Sequence, residues 1–137
     1  MKYYEGKRKH CSQFKPFEMT GLWKRLKSVQ EWEWTIADHV FDRLVQKKIR
    51  ATKQDIISTL HNASIMEYRI IHSHFHNGLD ERVILRSKAI VNRSYNLHVV
   101  YSLTYNEIIT VWMNHVDDRH ATLKWELYDQ NMKVFGV

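Results

Sequence analysis

Two hydrophobic rhythms divide the chain. Between Glu18 and about Gln30, Leu22, Leu26 and Val29 recur at helical spacing, with Trp23 beside them and Lys24, Arg25 and Lys27 elsewhere on the turn. That spacing predicts a short amphipathic helix. Thr35 followed by Asp38 suits an N-cap, where a hydroxyl accepts a hydrogen bond from an unpaired first-turn amide. A second helix is therefore predicted over 36–49, with Ile36, Val40, Phe41, Leu44, Val45 and Ile49 on a broad apolar face. His39, Arg43 and Lys47 run down one flank at four-residue spacing. Thr52 caps a third helix through Ile56, Ile57 and Leu60 that closes near Asn62.

From Ser64 the period shortens. "SIMEYRIIHSHF", "RVILRSKAIV", "NLHVVYSLT" and "EIITVWMNHV" are β-rich runs dense in Ile, Val and Tyr. The breaks between them are too short for crossover helices, which predicts an antiparallel meander. Helices first and strands afterwards is an α+β arrangement: N-terminal helices packed on a four-stranded, mainly antiparallel sheet. Residues 1–30 read as a basic arm and amphipathic helix, and residues 31–137 as the α+β domain. The tail continues either as a short helix or as an extended edge packed through Leu123, Trp125 and Leu127.

Composition narrows this picture. At 137 residues, 44% hydrophobic and 26% charged, the chain fits one folded domain with a core of its own. The single cysteine, Cys11, excludes an internal disulfide. No apolar run is long enough to span a membrane, and no apolar stretch follows the basic N-terminus as in a signal peptide. The expectation is a cytoplasmic protein without a membrane partner. Charge is uneven: residues 1–53 hold thirteen Lys/Arg against six Asp/Glu, whereas residues 54–137 hold eight against nine. A positive N-terminal half either attracts a polyanion such as RNA or is simply a solvated basic face.

Several segments carry a family resemblance. "ADHVFDRLVQKKIRATKQDIISTL", the short "IMEYR", "RVILRS" and a strand ending "ITVW" resemble the RelE/BrnT-type superfamily. The pattern His39-x-x-x-Arg43-x-x-Gln46-x-x-Ile49 is similar to its RegB-like ribonucleases. The likeness covers roughly residues 34–116. It implies a RelE-like fold and a metal-independent endoribonuclease needing no cofactor, of toxin-like or phage-encoded kind. It also implies RNA as substrate and a protein antitoxin or inhibitor as partner. A non-catalytic nucleic-acid- or protein-binding module on the same fold is the alternative.

RNA cleavage without a metal needs a base for the 2′-hydroxyl, an acid for the leaving oxygen and cations for the phosphate. Histidine serves either proton role near neutral pH, and arginine offers a charged fork. On this hypothesis the catalytic set is His39, Arg43, Arg86, His115 and His120. Lys24, Arg25, Lys47, Arg82, Trp112 and Asn114 are the nucleic-acid-binding candidates. Arg82 and Arg86 share one face of their strand, as do Thr110, Trp112 and Asn114. Each has a plainer reading: histidines at a helix–sheet seam, arginines in cross-strand ion pairs, Asp117 and Asp118 in a solvated turn. Trp23, Trp32 and Trp34 either stack bases or fill core and seam. His72, His74 and His76 alternate along a strand and can present imidazoles to one ion, but the run ends at a turn signal, Asn77-Gly78, and no metal is assigned.

Overall fold

The computed structural model describes residues 6–46, 50–73, 78–118 and 125–135. In chain order the elements are β1 (Arg8–His10), α1 (Pro16–Lys27), β2 (Thr35–Ile36), α2 (His39–Gln46), α3 (Lys53–His61), β3 (Ala63–Ser73), β4 (Gly78–Val91), β5 (Tyr95–Ser102) and β6 (Glu107–His115). Short 3₁₀ turns at Cys11–Gln13, Glu31–Glu33 and Trp125–Leu127 connect or follow them. The four β-rich runs form the antiparallel meander β3-β4-β5-β6. Two edges extend it to six strands, in the order β1-β3-β4-β5-β6-β2. β1 adds antiparallel to β3, so the basic arm is part of the sheet. β2 adds parallel to β6, which makes the sheet mixed. The expected four strands are thus the centre of a wider sheet.

All three helices contribute to one face. Leu22 and Leu26 of α1, Val40 and Leu44 of α2, and Ile56 and Leu60 of α3 join Ile65, Tyr68, Val83, Leu85, Val99 and Val111 in a single apolar core. The first thirty residues are therefore continuous with the domain core. Pro16 sits at the first position of α1, where its missing N–H costs nothing. Thr52 caps α3 as expected: its Oγ1 accepts from the Asp55 amide at 3.1 Å, and Asp55 accepts from the Thr52 amide at 2.8 Å.

Thr35 does not cap a helix. Its amide donates to the Asn106 carbonyl at 3.0 Å, and the Ala37 amide donates to Ile108 at 3.0 Å. Pairing with the open edge of β6 holds residues 35–36 extended, so α2 begins only at His39. Ile36 consequently leaves the expected helix face, and Phe41 and Val45 are exposed, with Val45 at 79%. Ile49 lies outside the described residues.

A buried ion pair closes the β1 side. Lys9 Nζ donates to Glu18 Oε1 and to the Met132 carbonyl, each at 2.7 Å. Glu18 also accepts from the Lys15 amide at 2.9 Å and from the Val134 amide at 3.2 Å. Burial alone raises the Glu18 carboxyl, but the Lys9 hydrogen bond and the two amides outweigh it and leave the group below its ordinary value. Arg25 forks onto Glu81 at 2.9 and 3.0 Å and caps the Phe135 carbonyl; Glu81 also accepts from the Tyr68 hydroxyl at 2.6 Å. Burial, then that bond, drives the Tyr68 phenol far above its ordinary value. The tail is thereby stitched to α1 and β1, with Met132 and Val134 as its core anchors. Trp125, expected among the anchors, is half-exposed at a 3₁₀ turn, and Leu123 lies outside the described residues.

Candidate functional site

The sheet face away from the helices is polar, and strand register assembles it. Alternation sends Val83 and Leu85 to the core and Arg82, Ile84 and Arg86 to the other side. One cross-strand row on this second face is Arg8–Arg69–Arg82, aligned through β1, β3 and β4. A second row is Arg86–His98–Trp112, aligned through β4, β5 and β6. Four residues of strand, roughly 13 Å, separate the rows along β4.

Like charges directly opposite one another across strands destabilise a sheet. Here Arg69 and Arg82 each have a carboxylate two residues away on the same face. Arg69 pairs with Glu67, and Arg82 Nε donates to the buried Asp80 at 2.8 Å. Asp80 also accepts from the Ser102 hydroxyl at 2.6 Å. Among the described strand residues the face carries Arg8, Arg69, Arg82 and Arg86 against Glu67, Asp80 and Glu107, the last aligned with Arg82 through Ser102, with His10 and His98 between the rows.

A cleft of about 100 Å³ lies between the rows, lined by His10, Met66, Glu67, Ile84, His98, Trp112 and Tyr128. His98 is 1% exposed and its ring lies against Trp112, with centroids 5.1 Å apart and planes tilted by 34°. The Tyr128 hydroxyl donates to Glu67. Burial first, then that bond, pushes the Tyr128 phenol upward, and Arg8 opposes the shift. His10, Trp125 and Tyr128 close one end as an aromatic cluster with centroids 5.3 to 5.9 Å apart, His10 edge-on to both rings and Trp125 tilted against Tyr128. The cleft thus holds two imidazoles, a carboxylate, a phenol and an indole.

Of the five residues expected to be catalytic, the four that are described, His39, Arg43, Arg86 and His115, do not converge on one site. His39 is exposed at the start of α2, and Arg43 is half-buried on the same helix, its Nε buried without a hydrogen-bond partner among the described residues. Through Val40 and Leu44, α2 packs on the helix-covered face, whereas Arg86 emerges from the opposite face, so the sheet stands between them. The Arg86 guanidinium is committed internally. Its Nε donates to Asn96 Oδ1 at 2.9 Å, and its terminal nitrogens donate to the carbonyls of Asp118, His115 and Val116 at 2.6, 3.2 and 3.3 Å. It clamps the turn after β6.

His115 is exposed on the helix side of β6, edge-on to Tyr95, with Nδ1 accepting from the Asp117 amide at 3.2 Å. β2 joins β6 beside Ile108, seven residues earlier, so His39 and His115 sit near opposite ends of that strand, roughly 23 Å apart in register. His120 and Lys47 lie outside the described residues, as do His74 and His76. His72 is exposed at the end of β3. Among the described residues no three His, Cys, Asp or Glu side chains gather to hold a metal ion.

The nucleic-acid candidates divide. Arg25 is occupied by Glu81 and Phe135. Lys24 is exposed on α1 beside Trp23. Arg82, Trp112 and Asn114 do share the polar face, as their spacing requires. Arg8, His10, Glu67, Arg69, His98 and Tyr128 were not legible as site residues. His98 carries a weak signal, a polar residue inside the otherwise apolar run "LHVVY". Glu67 and Arg69 carry none, because a bulge at Met66 resets the alternation: Ile65 and Tyr68, an odd number apart, both face the core.

No family model, curated protein or solved structure matches this chain.

Proposed function

We propose that this protein binds single-stranded RNA across the polar sheet face. The row Arg8–Arg69–Arg82 carries the reading, because three aligned guanidiniums give a positive track suited to a phosphate backbone. Trp112, half-buried on the same face, supplies a ring on which an unpaired base stacks, with Asn114 one step toward the rim. The excess of positive charge along the chain adds long-range attraction. Anisotropy titration of a labelled single-stranded RNA oligomer tests the reading. Trp112→Ala is expected to weaken binding about tenfold. Arg8→Ala is expected to lower the slope of log affinity against log salt by about 0.7. Unchanged binding in both variants refutes it.

A second reading is favoured by one observation: Glu67, His10, His98 and Tyr128 line a single cleft beside the arginine rows. On this reading the cleft carries out endoribonuclease chemistry, an imidazole and a carboxylate exchanging protons while arginine holds the phosphate. Incubation with RNA in EDTA decides between the two readings. Cleavage lost in His98→Ala and kept in His39→Ala supports the enzyme; binding without turnover supports the module alone. Growth arrest on expression of the wild type, relieved by His98→Ala, would agree with a toxin-like role.

A further inference from the structure

An apolar groove of about 600 Å³ lies on the helix side, far from the polar sheet face. Trp34, Ile36, Ile57 and Ile108 form its floor, and Trp32 and Phe41 stand at its walls. Trp32 is 83% exposed and Phe41 43%, which makes this a contiguous apolar surface with nothing of the described chain covering it. The indole N–H of Trp34 is buried without a hydrogen-bond partner among the described residues.

The rim decides what fits. Lys53 lines the groove at the first residue of α3. Glu31 lines it near the last, where its Oε1 lies 2.7 Å from His61 Nε2. Eight residues of helix separate these ends by roughly 12 Å. The groove therefore has an anionic end and a cationic end flanking an apolar centre. A polyanion is disfavoured, because the exposed carboxylates of Glu33, Asp38 and Asp42 adjoin its aromatic walls in sequence. A two-fold axis lying in the contact plane, perpendicular to the line between the ends, places each end against its opposite, so a copy of the same surface complements it.

We infer that this groove is the contact surface between two copies of this chain, packed about a two-fold axis with Trp32 and Phe41 at its centre. Each Glu31 then faces the partner's Lys53. This pairing does not depend on RNA binding, which uses the other side of the sheet.

Sedimentation equilibrium of the full chain across a wide concentration range tests it. The weight-average mass is expected to rise from 16.6 kDa toward twice that value. Trp32→Ala and Phe41→Ala, with circular dichroism unchanged, are each expected to raise the dissociation constant at least about tenfold. Glu31→Lys and Lys53→Glu are each expected to weaken self-association, while an equimolar mixture of the two forms a tighter mixed dimer. A mass of 16.6 kDa at every concentration overturns the inference. So does a dimer indifferent to Trp32→Ala, or a mixture no tighter than either variant alone.

Discussion

The two faces of the sheet use the same strands in opposite ways. On the helix side, Val83, Leu85, Val99 and Val111 lose water to three helices, and the gain is non-directional. On the other side, Arg69, Arg82 and Arg86 sit at adjoining positions of the same strands, each held by directed bonds to a carboxylate, an amide or carbonyls. One face is organised by volume and the other by donor–acceptor geometry. Substitutions should therefore cost for different reasons on each side, and only on the polar side should they also alter ligand binding.

The sharpest contrast lies within one strand. Leu85→Ala, on the helix face, is expected to lower stability by about 3–4 kcal/mol through lost burial and a closed cavity. Ile84→Ala, its neighbour on the polar face, opens into an existing cleft and is expected to cost about 2 kcal/mol. Urea titration measures both, and equal losses would erase the contrast. Lys9→Met is the next largest effect, because it strands the Glu18 carboxylate in an apolar seam at about 3 kcal/mol. Arg86→Met removes the clamp on the β6 turn and is expected to cost about 2 kcal/mol, with little recovery in Arg86→Lys, since an ammonium cannot reproduce the fork.

Acid sharpens the comparison further. The Glu18 carboxyl is lowered in the folded state, so the unfolded chain binds its proton more readily. That contribution to stability is complete above the ordinary carboxylate value of 4.5 and is lost as pH falls through the folded value. Glu18→Gln is expected to show a shallower loss of stability below about pH 4.5. Tyr128→Phe is expected to have the smallest effect, within about 1 kcal/mol, because Glu67 keeps its bond from Arg69.

The α+β class, α1, α3 and the four central strands were legible because each rests on local period and capping. The parities of Arg82 with Arg86 and of Trp112 with Asn114 were legible for the same reason. What failed depends on pairing between distant segments. β2 exists only because β6 offers an open edge, and that edge converts the expected cap at Thr35 into a strand. The Arg8–Arg69–Arg82 row needs the register of three strands and the bulge at Met66, none of which leaves a mark in any one segment. The same limit separates His39 from Arg86: a flank of one helix and a face of one strand were each readable, but not which side of the sheet the helix covers.

The seam between Lys9 and Met132 has a consequence for biosynthesis. Its two ends are 123 positions apart, and the Glu18–Val134 bond spans 116. Translation delivers the first strand and first helix long before the residues that complete their environment. An ammonium destined for the interior therefore has to wait, hydrated, until the last acceptor leaves the ribosome. Emergence of Met132 and Val134, rather than elongation through the first helix, is the step at which this molecule can shut.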